Sequence, residues 1–244
     1  MTSTFITIFL ILLIFFANKK IKNLNLLSNY RGYKHQKFSG TKKTPLSGGL
    51  FLICSCLILF YLNDFNNLLS LFLFFIFCIG FISDINLLSS PKLRFLIQFI
   101  IIVFFVILLD IKIHQTKFHL IDILLKNLYF KYFFSVFCLL VLINGSNFID
   151  GLNTLLIGYY LVVSFFLLKT GLIETIGFEA EIFYNWFLLL VFLYFFNFFK
   201  KIFMGDGGAY LLGFLLAIVS LMLTQRNLQV SSWFPVLVMA YPIS

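Results

Sequence analysis

The sequence predicts an all-α, polytopic integral membrane protein with eight complete transmembrane helices and a truncated ninth. Three observations carry that expectation. Apolar residues make up 61% of the 244 residues and charged residues only 11%, where a soluble domain would carry roughly twice that charge. The mean hydropathy is +1.05. The apolar residues also gather into runs, with no soluble domain or long linker between them. Residues 1–244 therefore read as a single membrane domain, expected to be incomplete at its C-terminus.

The first run, 5–17, has no small-residue cleavage site after it and reads as a retained span rather than a signal peptide. A long basic loop, 18–47, follows. Further runs lie at 48–62, 68–82, 95–109, 132–143, 154–168, 183–199 and 210–223, and a ninth starts at Trp233 and stops at Ser244. Several fall short of the roughly 20 residues that a span needs, so their helices must extend into the flanking segments. The four cysteines, Cys54, Cys56, Cys78 and Cys138, sit inside apolar runs and read as buried, unbridged thiols.

Charge sets the sidedness. One set of alternate loops, 18–47, 83–94, 144–153 and 200–209, holds Lys19, Lys20, Lys22, Arg31, Lys34, Lys37, Lys42, Lys43, Lys92, Arg94, Lys200 and Lys201, which is 12 of the 18 basic residues. The positive-inside rule makes that side cytoplasmic and the N-terminus external. The other side carries six cations and six carboxylates. On the basic side there are three carboxylates, Asp84, Asp150 and Asp206, each in a short polar loop at a helix end. Sparse carboxylates in a basic surround suit a metal ion and an anionic, phosphate-bearing substrate.

Four segments build that side. In TKKTPLSGGL (41–50), Pro45 stops a helix and Gly48–Gly49 permits close approach of another chain or a ligand. Its lysines, Lys42 and Lys43, read either as contacts to anionic lipid headgroups or as steering groups for a diphosphate. In GFISDINLLSSPKLRFLIQ (80–98), Asp84 follows one span, Ser89 or Ser90 can cap the next helix, and Pro91 fits its first turn. Asp84 taken alone is also an ordinary loop aspartate. In NGSNFIDGLNTLLIG (144–158), Asn144, Asn147, Asp150 and Asn153 recur every third residue. On a helix that spacing forms a slowly drifting stripe, either a polar cap or a ligand-binding face. In MGDGGAYLLGF (204–214), Gly205, Gly207 and Gly208 around Asp206 read as a turn whose amides converge on an anion, ahead of a helix over 210–223 that aims its positive end at the same place. An ordinary tight turn uses the same residues.

TPLSGG (44–49), GFISD…SPKLRFLIQ (80–98), NGSNFIDGLN (144–153) and MGDGGAYLLG (204–213), in this order and on one membrane face, resemble the polyprenyl-phosphate N-acetylhexosamine-1-phosphate transferases. The resemblance covers residues 20–223 and agrees with the sidedness read from charge. It implies transfer of N-acetylhexosamine-1-phosphate from a UDP-sugar to polyprenyl (undecaprenyl) phosphate with release of UMP. That is the first membrane step of a cell-envelope polysaccharide such as O-antigen, in a bacterial inner membrane. It implies Mg²⁺, or Mn²⁺ in its place. Asp84, Asp150 and Asp206 are the implied catalytic residues, with Asp206 and Asp84 toward the metal. Asn144, Asn147, Asn153, Gly205, Gly207, Gly208, Lys42 and Lys43 would bind substrate. UDP-N-acetylhexosamine, polyprenyl phosphate and membrane lipid are the implied partners; a homodimer is the assembly considered and no nucleic acid is expected.

Two departures stand out. The family usually has adjacent aspartates after the third span, and here the first is Ser83; its histidine-containing C-terminal motif is also absent. His35, His114 and His119 read as surface histidines. The hexosamine branch fits these segments better than a MurNAc-pentapeptide donor. Against the enzyme stand a catalytically impaired or truncated relative that still binds lipid phosphate or UDP-sugar, and a transporter. The transporter is disfavoured because the carboxylates sit at one face and no repeat is present.

Overall fold

A chain crossing a bilayer has to satisfy its own backbone hydrogen bonds, and each of the eight complete apolar runs does so as a helix. The structure is a computed structural model that describes residues 2–24, 44–62, 67–150, 154–175 and 179–226. In order, the helices are α1 (Thr2–Asn23), α2 (Gly48–Leu62), α3 (Asn67–Asp84), α4 (Pro91–Leu108), α5 (His119–Leu124), α6 (Leu128–Ile149), α7 (Leu155–Thr170), α8 (Leu172–Thr175), α9 (Ala180–Phe198) and α10 (Gly205–Arg226). Six of them, α1, α3, α4, α6, α9 and α10, are long and apolar enough to cross a membrane; α2 and α7 are apolar but shorter. The ninth run, Lys42, Lys43, Asn153 and His35 lie outside the described residues.

As expected, the helices extend past the apolar runs. Ser90 is the N-cap of α4, its Oγ accepting from the Leu93 amide, and Pro91 occupies the first turn. Helix α6 continues to Ile149, so Asn144 and Asn147 are helical and Asp150 is its C-cap. The largest departure is at α10. It begins at Gly205 instead of Tyr210, so Gly207 and Gly208 are helical residues and not members of a turn.

The reason is packing. In α10, 83% of the span is buried, against 22% in α1 and in α4, which makes α10 the central helix. It packs on α3, α6 and α2. A Cβ on Gly80 of α3 would lie 2.5 Å from backbone atoms of Asp206 and Gly207, and one on Gly49 of α2 would collide with the backbone of Gly208. The glycines of α10 thus let two neighbouring backbones approach it closely. Deeper in the bundle, Phe105 of α4 and Phe214 of α10 pack edge to face, ring centroids 4.8 Å apart, both fully buried. Farther along α10 an apolar cavity of about 60 Å³ opens toward α2, α7 and α9, lined by Cys56, Phe60, Leu167, Trp186, Leu212 and Val219 among others.

The four cysteines are unbridged, as expected, but Cys54 is exposed on the outside of the bundle. Cys54 and Cys56 are two apart and so lie on nearly opposite sides of α2, and only one of them can point inward. Residues 109–127 link α4 to α6 at the end away from Asp206 and hold His114 and His119. Replacing Gly80 with Ala is expected to destabilise the bundle by about 1–3 kcal/mol, the cost of overpacking a filled contact. Gly158→Ala, whose Cβ would meet only the Tyr194 ring at 3.3 Å, is expected to leave stability unchanged or slightly raised. Thermal unfolding midpoints of the two variants in detergent check this.

Candidate functional site

The site forms where α3 ends, α4 and α10 begin, and α6 ends. The α10 N-terminus carries unpaired amides and a partial positive charge. Asp84, the last residue of α3, faces it: the Asp206 amide donates to Asp84 Oδ1 at 2.9 Å and the Gly207 amide to Oδ2 at 3.1 Å. Asp84 is 7% exposed, a buried carboxylate satisfied by backbone donors. Gly205, at φ 71°, turns the chain into the helix, and a Cβ there would lie 2.5 Å from Asp84 Oδ2. Glycine is required at that position both for the left-handed backbone and for room.

Asp206 points the other way. Its Oδ2 takes Arg94 Nη1 at 2.5 Å and the Ser83 hydroxyl at 2.7 Å. Arg94 Nη1 also donates to Ser83 Oγ at 2.7 Å. Ser83 therefore accepts from the guanidinium and donates to the carboxylate, which a carboxylate at position 83 could not do beside Asp206. Arg94 reaches this point because the Ser90–Pro91 cap starts α4 one turn earlier.

The third carboxylate, Asp150, is half-buried at the end of α6. Burial, with the charges of Asp84 and Asp206 adding to it, holds its carboxyl well above the usual aspartate range; the Gly205 amide, which donates to it, works against the shift. Asn147 is half-buried one turn before it, and Asn144 donates through Nδ2 to Gln98 Oε1 at 3.0 Å. The structure thus brings Asp84, Asp150, Asp206, Gly205 and Gly207 together at one end of the bundle, with Gly208 serving the α2 contact.

The segment leading into α10 is held by amide side chains at helix ends. Asn18 of α1 donates to the Lys201 carbonyl at 3.1 Å and accepts from Ser47 Oγ at 2.9 Å. Asn197 of α9 donates to the Ile202 carbonyl at 3.0 Å and accepts from the Thr154 amide at 2.6 Å. Residues 44–49 run alongside: Phe203 N donates to the Pro45 carbonyl, and Gly48 N and Gly49 N donate to the Phe203 and Met204 carbonyls. Sequence reasoning missed Asn18, Asn197, Arg94 as an Asp206 partner, and Gln98. Gln98 and Asn197 carried a signal, as single polar residues inside apolar runs where burial is costly without a role, whereas Asn18 and Arg94 stand beside other polar residues at a run's edge.

A divalent cation needs oxygen donors. Among the described residues no group of three or more His, Cys, Asp or Glu is placed to hold one. Mg²⁺, however, keeps several waters and binds through one or two carboxylates together with substrate phosphates. Asp206 suits that, because Oδ1 takes no hydrogen bond from a described residue. Asp84 suits it less, because each of its oxygens already accepts a backbone amide.

The sequence profile of glycosyl transferase family 4 matches residues 66–224, a stretch that contains every carboxylate of this site. The chain belongs to that family. It is also 31% identical over 186 residues to a phospho-N-acetylmuramoyl-pentapeptide-transferase of Dictyoglomus thermophilum, an alignment covering 72% of this chain and 58% of that protein. The chain thus spans somewhat more than half the length of the curated relative it matches. As a glycosyl transferase family 4 member it has an all-helical membrane architecture in which Ser83, Asp84, Arg94 and Asp206 form one hydrogen-bonded group.

The raised Asp150 carboxyl has a consequence for stability. The folded protein holds the Asp150 proton at pH values where the unfolded chain, near the ordinary value of about 3.9, has lost it. Its contribution is therefore lost as pH rises through the folded value. In EDTA, Asp150→Asn is expected to weaken the fall in thermal midpoint as pH rises above the ordinary aspartate value of about 3.9. An unchanged pH profile would remove this account of Asp150.

Proposed function

We propose that this protein transfers a sugar-1-phosphate from a UDP-N-acetylhexosamine to a polyprenyl phosphate, releasing UMP, at the cytoplasmic face of a bacterial inner membrane. The observation that carries the reading is the group formed by Asp84, Ser83, Arg94 and Asp206 at the N-terminus of the central helix, at one end of an otherwise apolar bundle. Membership of glycosyl transferase family 4 supports the reaction class, and the clustering of cations on the loops at this end supports the sidedness.

The chemistry fits what these residues offer. A phosphate monoester has its second pKa near 6 and is largely ionised at neutral pH, so the attacking oxygen needs little help from a base. The harder task is to bring two anions together. Arg94 presents a planar set of donors suited to phosphate oxygens. Asp84 fixes the first turn of α10 and with it the position of Asp206. Mg²⁺, when held by Asp206 and the substrate phosphates, would neutralise the diphosphate charge. Asn147 and Asp150 border the same space and would position nucleotide or phosphate, with Asn153, Lys42 and Lys43 contributing from segments outside the described residues.

A second donor is favoured by one specific observation: the relative from Dictyoglomus thermophilum is named for N-acetylmuramoyl-pentapeptide transfer. Both donors are UDP-activated hexosamines, so the two readings differ in what recognises the sugar and not in the phosphorus chemistry.

Membranes containing the protein, given polyprenyl phosphate, Mg²⁺ and either UDP-N-acetylglucosamine or UDP-MurNAc-pentapeptide, are expected to release UMP from one of them. Asp206→Ala is expected to lower that rate by about a hundredfold or more, the scale of losing one electrostatic contact to developing charge. No release from either donor, or full activity in Asp206→Ala, would overturn the reading or the role of Asp206 respectively.

A further inference from the structure

Beneath the site lies a second polar layer. One helical turn deeper than Arg94 on α4 is Gln98; one turn deeper than Asp206 on α10 is Tyr210; one turn deeper than Asn147 on α6 is Asn144. The three meet between their helices. Gln98 is fully buried, Asn144 Nδ2 donates to its Oε1, and the Tyr210 phenol lies beside its amide.

The orientation of the Gln98 amide is fixed by its neighbour. Asn144 Nδ2 donates also to the Leu140 carbonyl, at 2.9 Å, so that atom is a nitrogen. The Gln98 atom facing it must then be the oxygen, which leaves Nε2 as the group turned away from α6. The Tyr210 phenol oxygen beside Gln98 Nε2 lies outside good hydrogen-bond geometry, and no described residue accepts from Arg94 Nε one turn above it. A buried donor without an acceptor costs free energy comparable to a lost hydrogen bond. Two of them stacked on one face of α4, beneath an anion site, call for ligand oxygens.

Depth selects the ligand. Gln98 lies farther into the apolar bundle than any carboxylate of the site, and its neighbours Phe95, Leu96 and Phe99 face outward from the bundle at 50%, 53% and 41% exposure. A nucleotide arrives from water and would meet Arg94 first. A phosphate carried on a membrane-embedded chain approaches at the level of α4. We propose that Gln98 Nε2 donates a hydrogen bond to a phosphate oxygen of the polyprenyl phosphate acceptor and so sets how deep and in which rotation that phosphate sits. The inference rests on the transferase reading above and gives one of its two substrates a recognition residue.

Gln98→Glu and Gln98→Leu test it in the whole protein in lipid nanodiscs. Glutamate keeps an oxygen for Asn144 but replaces the donor with a group that repels phosphate; leucine removes both. In UMP-release assays with each substrate varied in turn, both variants are expected to raise KM for polyprenyl phosphate about tenfold, Gln98→Glu more than Gln98→Leu, with KM for the UDP-sugar unchanged. Equal shifts in both KM values, or no shift in either, would overturn the inference. If the wild type turns over no UDP-sugar, the transferase reading fails, and direct binding of polyprenyl phosphate against unphosphorylated polyprenol decides Gln98 separately. Phosphate-dependent binding weakened about tenfold in Gln98→Glu sustains the inference; equal binding by wild type and variant, or no phosphate preference in the wild type, overturns it.

Discussion

The N-terminal turn of α10 has to lie against the backbones of both α2 and α3, and the site depends on that closeness. Side chains between helices usually keep their axes 8–10 Å apart. Here Gly80 meets Asp206 and Gly207, and Gly49 meets Gly208, with no side chain between the backbones. Only at that separation can the short Asp84 side chain, at the last residue of α3, reach two amides of α10. The carboxylate in turn supplies the negative charge that a buried helix N-terminus needs. Packing and electrostatics thus reinforce each other at one point of the fold.

Three carboxylates at one end of an apolar bundle repel one another, and the structure gives each a different neighbourhood. Asp84 is compensated by backbone dipoles and Asp206 by a guanidinium, while burial and the charge of the other two hold the Asp150 carboxyl above the usual aspartate range. This division explains how Ser83 fits a position where an aspartate is usual in the resembling family. A fourth carboxylate beside Asp206 would divide Arg94 between two anions, whereas the serine hydroxyl links them, accepting from one and donating to the other.

Much of the fold was legible because a membrane span must be a long apolar helix: the eight complete runs each became a helix, six of them long and apolar enough to cross a membrane. The clustering of Asp84, Asp150 and Asp206 was legible too, since carboxylates are scarce on the basic loops and fall at helix ends. The start of α10 was not. Gly205, Gly207 and Gly208 look like a turn when taken alone, because glycine's low helix propensity is a local property and the close contacts with α2 and α3 are tertiary. Asn18 and Asn197 escaped notice for a similar reason: an asparagine at the end of an apolar run looks like a helix ending in water, and only the path of residues 200–204 gives it a carbonyl to hold.

The central position of α10 also bears on how the protein is made. A chain synthesised from its N-terminus makes α1 through α9 before α10 exists, yet α10 is the helix that α2, α3 and α6 surround. In the finished bundle Gly49 and Gly80 edge the space that α10 fills, and Asp84 meets its amides there. One helix thus carries both the apolar surface that fills the centre of the bundle and the amides and carboxylate that complete the site.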